Sequence, residues 1–266
     1  MLKPQLINGE MKNKIKRLIV FCIVLYLSTA VFLYFFQSKL IYFPTSAVDH
    51  NYKTITVKNE DCLIDVIVLN SEKTTDKAII YFGGNAETVV YNARDFQREF
   101  KDSVVYLMNY RSYGRSTGWP SEQANYSDAL KLFDRVQKKY AKITVMGRSL
   151  GSGVASYVAS QRDIFNLVLI TPYDSIKHVA QSKFWMFPMS ILLNQQYLSI
   201  DRVKDIEEKC LILIAEHDKI IPYENSKNMV DEFPDSQVEF FIIKNENHNT
   251  ISHSEHYFDL INKFID

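Results

Sequence analysis

The longest uninterrupted run of apolar positions lies near the N-terminus. Residues 18–36 contain no charged side chain. A helix of that length spans roughly 28 Å, close to the hydrocarbon thickness of a bilayer. No face of this helix would be polar, whereas a core helix of a soluble protein usually presents one polar face to solvent. The pattern therefore predicts a transmembrane helix at 18–36 rather than a buried core helix.

A cleaved signal peptide is the other interpretation of this segment. Ser28 and Ala30 are small residues of the kind found at cleavage sites. Apolar residues continue to Phe36, so cleavage there would leave a hydrophobic N-terminus, and we favour an uncleaved signal anchor. Residues 1–17 are predominantly basic. This charge predicts a cytoplasmic tail, with a folded domain at 37–266 on the opposite side of the membrane.

After Pro44 the chain alternates short apolar strands with amphipathic segments. Helices are expected from the turn at residues 83–85 to about residue 100, and at about 121–140. Strands are expected at 52–57, 62–69, 78–82, 104–109, 143–146, 167–171, 210–215 and 238–243. The first two strands would form a hairpin across residues 58–61. Strands that alternate with helices indicate an α/β fold, in which helices cover both faces of a mainly parallel sheet.

The strand at 143–146 runs directly into residues 147–151, Gly-Arg-Ser-Leu-Gly, and then into a helix. This G-x-S-x-G arrangement predicts a sharp turn that lifts the Ser149 hydroxyl above the sheet edge, next to the N–H groups of the helix N-terminus. A turn without function and a dinucleotide-binding loop are the alternatives. The latter would need a third glycine where Ser156 stands. Ser149 is therefore the candidate nucleophile.

A serine hydroxyl needs a base, which in turn needs an acid to orient it. Asp218 follows the strand 210–215 and His248 follows the strand 238–243. Both are therefore expected at the sheet edge that carries Ser149, where ligands bind in open α/β sheets. Asp174, which follows the preceding strand, remains an alternative acid.

Hydrolysis at this serine would also require an oxyanion hole, formed by two backbone N–H groups. The N–H of Leu150, directly after the nucleophile, is one candidate donor. The glycine turn after the strand 78–82 would supply the other, with Asn85 as the expected donor and Ala86 as the alternative.

Composition narrows the classes of function. Hydrophobic residues make up 47% of the 266 positions and charged residues 23%, as in a globular protein with a sizeable core. The formal net charge is zero, which gives no support for a nucleic-acid partner. The three cysteines have neither metal-ligand spacing nor a disulfide framework. Cys62 and Cys210 could pair, and the sequence leaves that question open. We expect no metal and no organic cofactor.

Several of these motifs together resemble those of α/β hydrolases over about residues 40–266, in which the nucleophile, acid and base follow in the order of Ser149, Asp218 and His248. Within that superfamily the chain is similar to membrane-anchored ABHD-type serine hydrolases, which include palmitoyl-protein thioesterases, and to bacterial serine-aminopeptidase-like proteins. The matching segments are residues 40–44, 82–86, 110–114, 147–151, 171–175 and 218–222. The chain departs from the family at Gly83, where histidine is usual.

The resemblance implies a sheet of about eight strands with the second antiparallel, and a short cap at about 172–208. Bulky residues at 184–189 suggest either an acyl-binding wall or the packing face of two short helices. The implied activity is cleavage of a carboxylic ester or thioester in a small-molecule or acylated substrate, beside the bilayer that holds the anchor. A peptidase with the same triad and a catalytically silent, membrane-tethered binding protein are the alternatives.

Overall fold

The computed structural model describes the backbone of residues 4–266 and the side chains of residues 9–266. The predicted basic tail therefore begins outside the described residues. The first element is a long helix, α1, at Pro4–Ile41. Its part from Gly9 to Ile41 is long and apolar enough to cross a membrane, and no residue of its most apolar stretch is fully buried.

The centre of the folded domain is an eight-stranded sheet in the order β1-β2-β4-β3-β5-β6-β7-β8. The strands are β1 Lys53–Asn59, β2 Cys62–Leu69, β3 Lys77–Phe82, β4 Val104–Met108, β5 Lys142–Arg148, β6 Asn166–Ile170, β7 Cys210–Ala215 and β8 Val238–Ile243. Strand β2 is antiparallel to both of its neighbours, and β3 to β8 pair in parallel. The predicted α/β class and strand count are confirmed.

The β1–β2 hairpin is tighter than its sequence suggested. Asn59 pairs directly with Cys62, so the turn contains two residues instead of the predicted four. Glu60 has a φ of 53°, the positive backbone angle that two-residue hairpin turns require. The polar residues at 58 and 59 belong to the strand, because cross-strand pairing outweighs their low strand propensity.

Helices cover both faces of the sheet. After α1 they are α2 Ala93–Glu99, α3 Glu122–Val136, α4 Leu150–Ala159, α5 Ile176–Lys183, α6 Met189–Leu192, α7 Tyr223–Glu232 and α8 His256–Ile265. The helix predicted to end near residue 100 is divided into a 3₁₀ turn, Val89–Asn92, and the short α2. Ser121 caps α3 by accepting the N–H of Ala124, which explains why the helix begins where its sequence indicated.

The core consists of one apolar layer on each side of the sheet. Ile80 and Phe82 of β3 face the layer that contains residues of α3 and α4. Ile79 and Tyr81 face the layer that contains residues of α2 and α8. Burial on both faces explains the continuous apolar runs of the central strands. The carboxyl ends of β3, β5, β7 and β8 are consequently held at one rigid edge.

Candidate active site

Ser149 lies on a strained turn between β5 and α4. Its φ and ψ are 50° and −115°, values that a non-glycine residue adopts only when its surroundings impose them. The turn requires glycine on both sides. A Cβ atom at Gly147 would lie 2.2 Å from the Gly151 carbonyl oxygen, and one at Gly151 would lie 2.0 Å from the Phe82 carbonyl oxygen. The side-chain hydroxyl is thereby directed out of the sheet edge, as expected for a nucleophile turn.

The structure brings His248 and Asp218 to this hydroxyl. The His248 Nε2 atom lies 2.9 Å from Ser149 Oγ, and its Nδ1 atom lies 2.6 Å from Asp218 Oδ2. Since a carboxylate only accepts hydrogen bonds, Nδ1 carries the proton and Nε2 is free to accept the hydroxyl proton. The Asp218 and His248 side chains are 3% and 8% exposed, so solvent competes little with either bond.

Asp218 is itself held in a fixed orientation. Its second oxygen, Oδ1, accepts the N–H groups of Ile220 and Ile221, each at 2.8 Å. Asp174, the alternative acid, does not face His248. Its Oδ2 atom lies 2.9 Å from Nδ1 of a different histidine, His178. The strand order decides between the two carboxylates, because β7 lies next to β8, which leads to His248, whereas β6 does not.

The two predicted oxyanion donors lie beside Ser149. Leu150 is the first residue of α4, so its N–H has no partner one turn earlier in the helix. Asn85 and Leu150 line the same cavity as Ser149. Among the residues that the structure describes, no backbone hydrogen bond uses the Asn85 N–H. The side chain of Asn85 is occupied elsewhere, because it donates to the Ile41 carbonyl and accepts the N–H of Phe43.

Gly83 stands where related hydrolases usually have histidine, and other contacts hold the loop in place. A Cβ atom at Gly83 would lie 2.8 Å from Val89, so a larger residue could not enter without displacing its neighbours. The Tyr110 hydroxyl donates to the Gly83 carbonyl at 2.8 Å. Glu87 accepts the N–H of Gly84 at 2.6 Å. The glycine loop therefore has a defined conformation in the absence of the usual histidine.

Arg148 belongs to the nucleophile motif, but its sequence indicated no separate role. Its guanidinium donates to the carbonyls of His248 and Asn249, at 2.9 and 3.2 Å. It also lies 4.0 Å from Glu87, which holds the glycine loop. Burial alone would lower the pKa of Arg148, but the nearby Tyr81 and Glu87 raise it above its ordinary value. The arginine therefore stays charged and connects the histidine loop to the glycine loop.

An apolar cavity of about 230 Å³ extends from Ser149 toward the N-terminal helix. One side is formed by the cap helices α5 and α6, including Val179 and Met189, and the other by α1. Only part of the bulky segment 184–189, for which the sequence suggested an acyl-binding wall or a packing face, lines the cavity. Phe184 lines the cavity, whereas Trp185 is 76% exposed.

Among the side chains of residues 9–266, no three or more histidines, cysteines or acidic residues are grouped so that they could hold a metal ion. Cys62 and Cys210 are both free thiols. Burial raises the pKa of the Cys210 thiol, which keeps it protonated and unreactive.

Sequence comparisons find relatives among membrane proteins and lipases, although no protein-family model matches the chain. The uncharacterized membrane protein YNL320W of Saccharomyces cerevisiae is 25% identical over 256 residues, which cover 88% of this chain and 90% of the yeast protein. Protein bem46 of Schizosaccharomyces pombe is 26% identical over 264 residues, covering 88% of this chain and 87% of bem46. The lysophosphatidylserine lipase ABHD12 of Danio rerio is 28% identical over 184 residues, covering 60% of this chain and 48% of the lipase.

Solved structures with the same fold include hydrolases of different specificity. The Pyrococcus furiosus esterase Pf2001 superimposes with a TM-score of 0.62 at 18% identity, covering 84% of this chain and 96% of the esterase. Proline iminopeptidase of Mycobacterium smegmatis superimposes with a TM-score of 0.64 at 14% identity, covering 80% of this chain and 97% of the peptidase. The chain has the α/β-hydrolase fold, and the predicted resemblance is confirmed. Relatives and fold together support a hydrolase enzyme.

Proposed function

We propose that this α/β hydrolase is a membrane-anchored serine hydrolase that cleaves a carboxylic ester or thioester through an acyl-enzyme. The observation that carries the proposal is the hydrogen-bonded series from Ser149 Oγ to His248 Nε2, at 2.9 Å, and from His248 Nδ1 to Asp218 Oδ2, at 2.6 Å. These distances meet the requirement for a nucleophile, a base and an orienting acid.

The proposed mechanism follows from these contacts. Ser149 Oγ attacks the substrate carbonyl while His248 Nε2 takes the hydroxyl proton, and Asp218 stabilises the imidazolium that forms. The N–H groups of Asn85 and Leu150 stabilise the negative oxygen of the tetrahedral intermediate. The imidazolium then gives its proton to the departing alcohol or thiol, which leaves an acyl ester on Ser149. Water, deprotonated by His248, attacks this ester and releases the acid.

The same proposal includes the arrangement in the membrane. Residues 1–17 would form a cytoplasmic tail, 18–36 the transmembrane anchor, and 37–266 the catalytic domain on the opposite side, with its cap at about 172–208. The length and apolar character of α1 support the anchor, and the excess of basic residues before it supports the orientation. The substrate would be a small-molecule or acylated compound at the membrane surface.

A peptidase is the second candidate, because a proline iminopeptidase has the same fold. The cavity favours an ester or thioester. Its lining includes several apolar side chains of the cap and α1, which suit an acyl chain better than the charged N-terminus of a peptide. A catalytically silent binding protein would retain the fold without turnover.

A fluorophosphonate probe distinguishes a serine hydrolase from a catalytically inactive binding protein, because it reacts only with an activated serine. Natural protein in detergent should be labelled, and Ser149→Ala and His248→Ala should abolish labelling. Ser160→Ala and His256→Ala are matched controls and should leave labelling intact, since the Ser160 hydroxyl donates to the Tyr157 carbonyl and the His256 side chain is 71% exposed, away from Ser149. Hydrolysis of 4-nitrophenyl esters, but not of aminoacyl 4-nitroanilides, would then favour the esterase over the peptidase. Absence of labelling in folded natural protein would refute the proposal.

A further inference from the structure

The N-terminal helix is packed against the catalytic domain along one face. The Tyr26 ring stacks on Phe187 of the cap, with centroids 4.8 Å apart, and its hydroxyl donates to the Met186 carbonyl at 3.0 Å. About three turns later, Gln37 donates to the Leu192 carbonyl at 3.2 Å and accepts the N–H of Asn194 at 2.7 Å. Both contacts lie on the same side of α1 as Leu33, because residues three or four apart share a helix face.

The depth of these contacts places the cap in the bilayer. If residues 18–36 span the hydrocarbon, Tyr26 lies about 15 Å from the C-terminal end of the span, at a rise of about 1.5 Å per residue. The cap segment beside Tyr26 therefore reaches roughly the middle of a core about 30 Å thick. Part of its surface fits that environment, since Trp185 is 76% exposed and Ile191 is 75% exposed. The exposed Lys183 in the same segment would have to extend its charged end toward the membrane surface.

The backbone of the cap is also suited to lipid, where every polar group needs a partner within the protein. Gln181 donates to the Phe187 carbonyl at 3.1 Å and accepts the N–H of Met189 at 3.0 Å. Gln37 and Tyr26 of α1 satisfy further cap groups in the same way. These bonds replace the water that an ordinary surface loop would use.

The cavity that begins at Ser149 lies between these two lipid-facing elements. Leu33, Gln37, Leu40 and Ile41 of α1 line it. The end of α1 also contacts the glycine loop, because the Asn85 side chain donates to the Ile41 carbonyl. Without α1 the cavity would have no wall on that side, and the loop would lose one of its supports.

We infer that the membrane anchor forms part of the substrate site: Leu33 and its neighbours on α1, together with the cap, make a channel through which a long acyl chain enters from the bilayer to reach Ser149. This inference rests on the proposed function. It makes α1 a determinant of acyl-chain length as well as an anchor.

The test compares Leu33→Trp with Val31→Trp in full-length protein reconstituted in phospholipid nanodiscs. Leu33 lines the cavity, whereas Val31 is 56% exposed and lies nearly opposite on the helix. Both variants keep the anchor apolar. The substrates are 4-nitrophenyl butyrate and 4-nitrophenyl palmitate. Leu33→Trp should lower the ratio of kcat/KM for palmitate to kcat/KM for butyrate by about tenfold or more, and Ser149 should still be labelled by a fluorophosphonate. Val31→Trp should leave both substrates unaffected.

A second measurement needs no substitution. A fluorophosphonate with a C16 chain that carries a photoreactive diazirine would label Ser149 and then cross-link to the wall of its channel. Cross-links within residues 33–41 and 176–193 would support the inference. Two results would overturn the inference without affecting the proposed function. One is cross-linking confined to other surfaces, and the other is an unchanged palmitate-to-butyrate ratio in Leu33→Trp. Natural protein that neither reacts with fluorophosphonates nor hydrolyses butyrate would instead refute the proposed function, and this inference with it.

Discussion

At the scale of single residues, two aspartates near the nucleophile turn bind different histidines. Asp218 lies 2.6 Å from His248, which contacts Ser149. Asp174 lies 2.9 Å from His178 and also accepts the side-chain amide of Asn225 at 2.8 Å. The first aspartate belongs to the hydrogen-bonded series that leads to Ser149, the proposed nucleophile. The second joins the start of the cap to α7, and its effect should be on stability.

Replacing each aspartate by asparagine separates these roles. Asp218→Asn should lower kcat by about 10⁴-fold, because an amide stabilises the wrong His248 tautomer, and should change the melting temperature little. Asp174→Asn should lower stability by about 1–3 kcal/mol, because buried amide donors lose a charged acceptor, with kcat close to that of the natural protein. Turnover of 4-nitrophenyl butyrate and thermal unfolding in detergent measure both effects. The reverse outcome would identify Asp174 as the acid.

At the scale of secondary-structure elements, a buried ion pair connects three parts of the fold. Arg111, in the loop after β4, donates to both carboxylate oxygens of Asp128 in α3, at 2.8 and 3.0 Å. Asn59, at the end of β1, donates to the same carboxylate at 2.6 Å. Hydrogen bonding to Asp128 raises the pKa of Arg111. The pair therefore fixes the antiparallel hairpin to α3 at the side of the sheet away from β8.

Removing the cation from this pair should destabilise the protein strongly. Arg111→Met would leave the fully buried Asp128 without its charged partner, at a cost of about 3–5 kcal/mol. Arg98→Met is the matched control. Its pairs with Asp95 and Glu99 lie at the surface, where water screens the charges, so their loss should hardly change the free energy of unfolding. Chemical denaturation in detergent measures both values, and equal effects would contradict the role given to the buried pair.

At the scale of the whole molecule, a large share of the core consists of tyrosine. The fully buried tyrosines are Tyr81, Tyr110, Tyr113, Tyr126, Tyr173, Tyr197 and Tyr257. Burial raises the pKa of each phenol, in the case of Tyr113 to about 12. These phenols stay neutral in the folded protein at pH values where they would ionise in the unfolded chain.

Stability should therefore fall at alkaline pH. Above about pH 10 the unfolded chain releases phenolic protons that the folded protein retains. The unfolded state then binds fewer protons, so the free energy of unfolding decreases as pH rises. The ultraviolet absorbance of tyrosinate, followed together with thermal unfolding, should show one phase for exposed tyrosines and a later phase that coincides with loss of structure. Ionisation of all sixteen tyrosines in one phase, with the fold intact, would contradict this prediction.

The sequence by itself determined the features that depend on neighbours within a few residues. The fold class followed from the alternation of apolar strands with amphipathic helices. The turn at Ser149 followed from Gly147 and Gly151, which a strained backbone requires. Asp218 and His248 were expected near Ser149 because each follows a strand of a parallel sheet, and such strands end at one edge.

Only the tertiary structure decided which of these groups are in contact. The strand order put Asp218, rather than Asp174, beside His248. The contact of Arg148 with the histidine loop joins residues 100 positions apart. The contact of Gln37 with the cap joins residues 155 positions apart, and it makes the N-terminal helix a wall of the cavity. The spacing of apolar residues along a helix or strand indicates which of its faces is apolar. It carries no information about the element that will cover that face.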